Sequence, residues 1–316
     1  VAGLQAFQVE LLGALQRRGQ TAFYIDYDDI QDIDVVNGLA GWLGVSARLE
    51  ALDPTLKKQN PEAIADKVEN PEVIPMALSR LDRFNLARTP NFEPRRAAAI
   101  PSFLSGGPLL HMPVKGGPEA QVAAWLATVG RVEGNFSQKT LRQWMRAQVP
   151  HRSFAVLRHP LARAHWAFCN KVLTGDLPEI RATFGRTMQV NLPNPRNAAT
   201  MAIPDHRDAF LAFLRFLKLN LSGQTALRVD AHLATQTAVI QGFAGFQVPD
   251  AILREDRLQE GLHHLAADVG VAAPPLPPAP PEGPVRLAQL VDATLEAAAQ
   301  EAYARDYQGF GFSEVV

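Results

Sequence analysis

Residues 154–171 read FAVLRHPLARAHWAFCNK, an apolar run followed directly by a segment rich in basic side chains. The run from Phe154 to Leu157 predicts a buried strand, and the pattern from Leu161 to Leu173 predicts a helix. The basic side chains therefore emerge where a strand ends and a helix begins. Free backbone N–H groups and the positive end of the helix dipole meet there, so the segment indicates an anion site. A solvated basic helix start is the alternative reading of the same residues.

A second strand-to-helix turn lies upstream, where residues 110–120 read LHMPVKGGPEA. The pattern predicts a strand that ends in a turn containing Lys115, Gly116 and Gly117, followed by a helix. Glycines let the backbone approach a phosphate closely, and a lysine supplies the compensating charge. The spacing is not that of a Walker loop. Together with Arg158, the turn predicts a two-ended clamp for a nucleotide that carries separated phosphates.

The predicted elements alternate between strand and helix, which is typical of an α/β protein with a parallel sheet. The predicted strands are Leu109–Met112, Phe154–Leu157, Thr225–Val229 and Ala251–Arg254. The predicted helices are Glu119–Val129, Leu161–Leu173, Asp208–Leu219, Gln259–Val269 and a last helix near Leu287–Tyr303. Residues 177–204 are rich in Pro, Asn and Arg and predict a loop or lid.

Composition narrows the class of protein. The 316 residues are enough to bury a substantial core in one large domain or two smaller ones. The 31 basic and 32 acidic residues nearly balance, so nucleic acid and membrane surfaces are not expected partners. The single cysteine, Cys169, excludes an internal disulfide and a Cys-based zinc site, and we expect no metal. The single cysteine also fits a reducing cytosol, so we expect a cytoplasmic protein. No apolar run approaches the roughly 20 residues that span a bilayer, so we expect no transmembrane segment.

Two segments, residues 23–45 and 251–271, share a pattern of strand, acidic turn, helix and Gly-Val. A tandem duplication explains this echo, with chance similarity of two common βα units as the alternative. The helical pattern that begins at Leu4, without a starting methionine, indicates a truncated N-terminus. The expected units are the C-terminal remnant of a first domain at 1–90, a linker at 91–108, and a second domain at 109–316 with a proline-rich connector at 273–284.

Four segments, in chain order, carry a family pattern: HMPVKGG at 111–117, the basic segment at 158–171, HLATQ at 232–236 and YARDYQGFGF at 303–312. They resemble the H-I-P-K-T-G-G, R-D-P-x-x-R-x-x-S-A-Y-x-N-K, H-W-x-x-Q and Y-x-x-D-Y-x-x-F-G-Y motifs of the carbohydrate-type and nodulation-type sulfotransferases. The resemblance implies a three-layer, P-loop-like α/β fold with a mainly parallel sheet flanked by helices. It also implies 3′-phosphoadenosine 5′-phosphosulfate (PAPS) as co-substrate, no metal, and transfer of a sulfuryl group to a hydroxyl of a saccharide or other small acceptor.

The resemblance further implies roles for individual residues. The residues implied to bind PAPS are Lys115, Gly116, Gly117, Arg158, Arg163 and Lys171. Lys115 is also implied to stabilise charge on the transferring group. A histidine titrates near neutrality, so the candidates for a general base are His111, His159, His165 and His232. We rank His111 first, because it enters the loop. For His232 we favour a structural hydrogen bond.

Departures from the family pattern leave a second function open. Val114 occupies the lysine position of the loop, and Pro118 and Glu119 replace the Thr-Ser that would donate to phosphate. Trp166 replaces the serine that would contact the 3′-phosphate, and Glu119 would repel a phosphosulfate. These changes favour a catalytically inactive domain that is a structural or substrate-presenting partner of a first domain. A kinase-like P-loop enzyme is disfavoured, because the Walker spacing and a carboxylate for magnesium are missing.

Overall fold

The structure, a computed structural model, describes residues 28–53, 61–74, 97–225, 227–280 and 285–313, together with residue 76 and isolated positions between 7 and 25. Ten α-helices have described bounds: α1 Ile33–Trp42, α2 Glu119–Val129, α3 Gln138–Ala147, α4 Pro160–Ala167, α5 Pro178–Thr187, α6 Ile203–Leu221, α7 Gln236–Phe243, α8 Leu258–Asp268, α9 Ala293–Ala302 and α10 Ala304–Phe310. Among the described residues, none of these helices combines the length and apolarity that crossing a membrane requires.

Five strands form one mixed sheet in the order β3-β1-β2-β4-β5. The strands are β1 Leu104–Gly106, β2 Leu109–His111, β3 Val132–Glu133, β4 Arg152–Leu157 and β5 Ala251–Arg254. The pairs β2-β4 and β4-β5 are parallel, whereas β1 is antiparallel to both of its neighbours. The two residues Gly107 and Pro108 join β1 to β2, and Gly107 has a positive φ of 56°. A two-residue hairpin forces antiparallel pairing, so the expected mainly parallel sheet is corrected to a mixed one.

Several predicted elements differ from the structure. The strand β1 falls inside the predicted linker at 91–108, so the sheet begins before residue 109. Among the described residues of the predicted strand Thr225–Val229, none is in a strand. The side-chain amide of Asn220 donates there to Thr225 Oγ1 and to the Leu227 carbonyl, at 2.8 and 3.1 Å, and holds a loop.

Helices cover both faces of the sheet. Side chains alternate along β4: Phe154 and Val156 pack in one hydrophobic cluster, whereas Ala155 and Leu157 pack in the other. Helices α2 and α8 supply most of the first cluster, and α4, α6 and α9 contribute to the second. This alternation is the period of two that a strand imposes on its side chains. The result is an α/β fold in which β2 and β4, being parallel, end at the same edge of the sheet.

The described part of the proline-rich connector is packed against the helices rather than free of them. Trp125 Nε1 donates to the Pro274 carbonyl at 2.9 Å, and Gln121 Nε2 donates to the Pro277 carbonyl at 2.6 Å. Both donors lie on α2, which follows the Lys115 turn. The connector therefore lies across the same edge of the sheet as the predicted clamp.

Candidate functional site

A cavity of about 320 Å³ lies beyond the ends of β2 and β4. Its size is at the lower end of the range for small-molecule sites, about 300–1,000 Å³. Both predicted parts of the clamp line it: the turn after β2 and the segment after β4. The lining residues are Lys115, Gly117, Pro118, Glu119, Ala120, Arg158, Trp166, Lys171, His232 and Pro280.

The turn after β2 holds a carboxylate of its own. Glu119, in the first turn of α2, accepts the Gly116 backbone N–H at 3.1 Å through Oε1. Its Oε2 lies 3.6 Å from Lys115 Nζ. A carboxylate at a helix N-terminus, bonded to a loop N–H and a lysine, takes the position in which such a turn holds a phosphate oxygen. An anionic ligand must therefore displace Glu119 to reach these donors.

Local backbone geometry explains why Lys115 and not Val114 faces the cavity. Val114 is buried in the hydrophobic core, whereas the Lys115 side chain is 38% exposed. Gly116 has a positive φ of 82°, and a Cβ there would lie 3.3 Å from atoms of Arg163 and Trp166. Only glycine meets both conditions without strain. The turn thus directs Lys115 to the cavity, although Lys115 stands one residue after the lysine position of the resembled motif.

Arg158 is held by a second carboxylate. Its Nε and Nη2 donate to the two oxygens of Glu255, each at 2.6 Å, and its Nη1 donates to the Gly116 carbonyl at 3.3 Å. The arginine side chain is 15% exposed. A bidentate pair of this kind is among the strongest side-chain interactions, and it orients the guanidinium at the wall of the cavity.

Arg163 is buried outside the cavity, whereas Lys171 lines it. Arg163 is 1% exposed and does not line the cavity. Its guanidinium donates to the carbonyls of Lys115, Ala234 and Ala231, at 2.7, 2.6 and 3.2 Å. It therefore braces the loops around the cavity, although the resemblance implied a phosphate contact. Lys171 does line the cavity, and its Nζ also donates to Asp176 at 2.9 Å.

His111 does not face the cavity. Its ring is 2% exposed, stacks on Phe154 with centroids 5.1 Å apart, and has no hydrogen-bond partner at Nδ1 among the described residues. Burial lowers the pKa of His111 to about 3. A buried ring that avoids protonation does not meet the requirements for a general base at this cavity.

His232, to which the sequence assigned a structural role, does line the cavity. Its Nδ1 lies 2.8 Å from Asp230 Oδ1, and its ring is stacked on Trp166 with centroids 6.0 Å apart. A carboxylate at Nδ1 fixes the tautomer in which Nε2 carries the free lone pair. The short spacing between Asp230 and His232 was the signal that sequence reasoning missed.

The remaining two family-like segments support the wall of the cavity from behind. Asp306 on α10 accepts the backbone N–H groups of Gln236 and Thr237 at 2.8 Å each, and the Thr237 hydroxyl at 2.7 Å. The Gln236 side chain then donates to the Arg158 carbonyl at 2.8 Å and accepts the Arg158 N–H at 3.0 Å. Tyr303 Oη donates to the Leu233 carbonyl at 2.9 Å. Segments far apart in sequence thus meet at Arg158.

Comparisons with known proteins give no relative: no protein-family model, no curated protein and no solved structure matches the chain.

Proposed function

We propose that the chain binds PAPS at this cavity and transfers its sulfuryl group to a hydroxyl of a saccharide or other small acceptor. The observation that carries the proposal is the lining of the cavity, where the turn at Lys115 and the segment from Arg158 to Lys171 face each other. The turn contributes the cation of Lys115, and the segment contributes those of Arg158 and Lys171. Cations from two segments on one cavity suit a nucleotide with phosphates at both ends.

In the proposed reaction the sulfuryl group passes directly to the acceptor, and the protein forms no covalent bond to it. The acceptor oxygen forms a bond to sulfur while the bond from sulfur to the leaving phosphate oxygen breaks. Lys115 and Arg158 would neutralise the negative charge of the transferring and leaving groups. His232 Nε2 would take the proton of the acceptor hydroxyl, and Asp230 would stabilise the imidazolium that results.

A second cavity, about 520 Å³ in volume, adjoins the segment that leads into His232 and would offer the acceptor a place. Asp230 and Ala231, the two residues before His232, are part of its wall, and Glu179 and Arg228 add further polar groups. Hydrogen-bonding side chains of this kind suit the hydroxyls of a sugar. The acceptor would therefore bind next to the segment that carries His232, and its hydroxyl would reach Nε2, the ring nitrogen that Asp230 does not hold.

Calorimetric titration with 3′-phosphoadenosine 5′-phosphate tests the binding step. Hydrogen bonds to charged groups contribute about 1.5–3 kcal/mol, so Arg158→Ala should weaken binding by at least about tenfold. Arg207→Ala is the matched control, because Arg207 also donates two hydrogen bonds to one carboxylate, that of Asp292. Equal loss in both variants, or no binding by the folded wild-type chain, would contradict the proposed site.

The base is tested separately from binding. His232→Gln should lower kcat for transfer to an acceptor by about 10²–10⁴-fold and change nucleotide affinity far less. His111→Gln should leave both values unchanged wherever the variant is folded. A chain that retains full kcat without His232 would exclude this histidine as base.

A non-catalytic role is the second candidate, and the carboxylates of Glu119 and Glu255 favour it. Each one already pairs with a cation that a nucleotide would need. A structural or substrate-presenting partner of a sister domain requires no nucleotide at all. Glu119→Gln separates the candidates: a working site should bind 3′-phosphoadenosine 5′-phosphate about tenfold more tightly once the competing charge is removed. A non-catalytic domain should bind it in neither form.

A further inference from the structure

Three side chains with metal-binding atoms meet inside the core, and none of them lines the cavity. His165 lies on α4, Cys169 in the π-helical turn Phe168–Val172 that continues it, and His206 near the start of α6. The two histidine Nε2 atoms are 3.1 Å apart. Cys169 Sγ lies 3.5 Å from the His165 Nε2 and 3.8 Å from the His206 Nε2.

These distances match a single coordination sphere. In a tetrahedral zinc site with Zn–N near 2.0–2.1 Å and Zn–S near 2.3 Å, two nitrogens lie about 3.3 Å apart and a nitrogen and a sulfur about 3.6 Å apart. The three separations in the protein differ from those values by about 0.3 Å or less. One ion can therefore contact all three atoms with only small side-chain adjustments.

The surroundings select the type of ion. All three residues are buried, and the rings of Phe168 and Phe210 lie against the histidines, with centroids 5.3 Å from His206 and 5.0 Å from His165. A donor set of two imidazoles and a thiol, without an oxygen, disfavours Ca²⁺ and Mg²⁺ and favours Zn²⁺ or Cu⁺. A thiolate also cancels one positive charge, which lowers the cost of an ion in an apolar environment.

We propose that His165, Cys169 and His206 bind one thiophilic d¹⁰ ion, Zn²⁺ or Cu⁺. This proposal differs from the expectation of no metal, which considered cysteine ligands alone, because packing brings two histidines to the single cysteine. The ion joins α4 to α6 and fixes the helix that carries Arg163 and Trp166. The proposal is independent of the proposed function, because none of its three ligands lines the nucleotide cavity.

The test begins with the metal-free, reduced full chain, titrated separately with Zn²⁺ and with Cu⁺ in competition with a chromophoric chelator. We expect one ion per chain and a rise in Tm that a chelator reverses. Co²⁺ is the spectroscopic probe for the Zn²⁺ arm, and a thiolate-to-cobalt charge-transfer band is expected. Since Cys169 is the only cysteine, such a band in the wild-type chain reports on this site even where a variant fails to fold.

Variants locate the ion. Cys169→Ser should abolish the thiolate band and weaken binding at least tenfold. The control is the double variant His263→Ala, His264→Ala, which removes an exposed histidine pair on α8 and should leave binding unchanged. Two outcomes overturn the proposal: no stoichiometric binding of either ion by the folded chain, or binding that persists with undiminished affinity in Cys169→Ser. In either case the three side chains would be only a hydrogen-bonded cluster.

Discussion

Asp306→Asn tests whether the C-terminal segment positions the cavity wall. The Asp306 carboxylate is fully buried and accepts three hydrogen bonds from the first turn of α7, two from backbone N–H groups and one from the Thr237 hydroxyl. Asp306 on α10 thus accepts N–H groups at the N-terminus of α7 that have no partner within that helix. Asparagine has nearly the same volume, but it accepts through one oxygen only and places an NH₂ group against the other donors.

The size of the effect follows from these contacts. Hydrogen bonds to a charged group contribute about 1.5–3 kcal/mol each, and the variant loses or weakens about two of them. Burial raises the pKa of Asp306, so removal of the charge relieves part of the desolvation penalty. We expect a net loss of about 3 kcal/mol in the free energy of unfolding. For a domain of about 200 residues this lowers Tm by about 6–12 °C.

Urea unfolding followed by tryptophan fluorescence measures this loss at pH 7. The matched control is Asp256→Asn, because Asp256 is exposed and forms its ion pair with Arg254 at the surface, so the change should stay within about 0.5 kcal/mol. The folded Asp306→Asn variant should also bind 3′-phosphoadenosine 5′-phosphate more weakly, because Gln236 holds the Arg158 backbone. A loss below about 0.5 kcal/mol for Asp306→Asn would refute the capping argument.

Three further predictions concern the same framework. Burial lowers the pKa of His111 from 6.5 in the unfolded chain to about 3 in the folded protein. The stability that depends on the neutral ring is therefore complete above pH 6.5 and is lost as the pH falls towards 3. Urea titrations measure how far the free energy of unfolding falls between about pH 7 and pH 4.5. This fall should be about 3 kcal/mol smaller in His111→Phe than in the wild type, and equal falls would contradict the prediction. Gly106→Ala should cost about 1–3 kcal/mol, because its Cβ would lie 2.6 Å from the Leu126 carbonyl; an unchanged Tm would contradict the packing. Gln236→Leu should weaken nucleotide binding severalfold by leaving the Arg158 N–H and carbonyl without partners, and unchanged affinity in a folded variant would exclude this positioning role.

Sequence patterns located the central elements well. The helix predicted over Glu119–Val129 and the strand predicted over Ala251–Arg254 have the same bounds in the structure. The strand at Phe154–Leu157 extends two residues earlier, and the helix after it changes to a π-helical turn at Phe168. These elements are predictable because apolar periodicity and flanking glycines or prolines act within a few residues.

Short and weakly patterned elements were not predictable in the same way. The strands β1 and β3 have three and two residues, too few to show a period. They exist because their backbone groups pair with a neighbouring strand, which is a property of the assembled sheet. The mixed character of the sheet follows from them.

The sequence by itself predicted the strands and helices on either side of the turn at Lys115 and of the segment at Arg158, and it predicted that these two segments belong to one site. Only the tertiary structure decided what each charged or titratable group contacts. Glu255 pairs with Arg158 from 97 residues away, and His206 approaches Cys169 from 37 residues away. Periodicity records local conformation, whereas counter-charges and metal ligands depend on distances that exist only after the chain is packed.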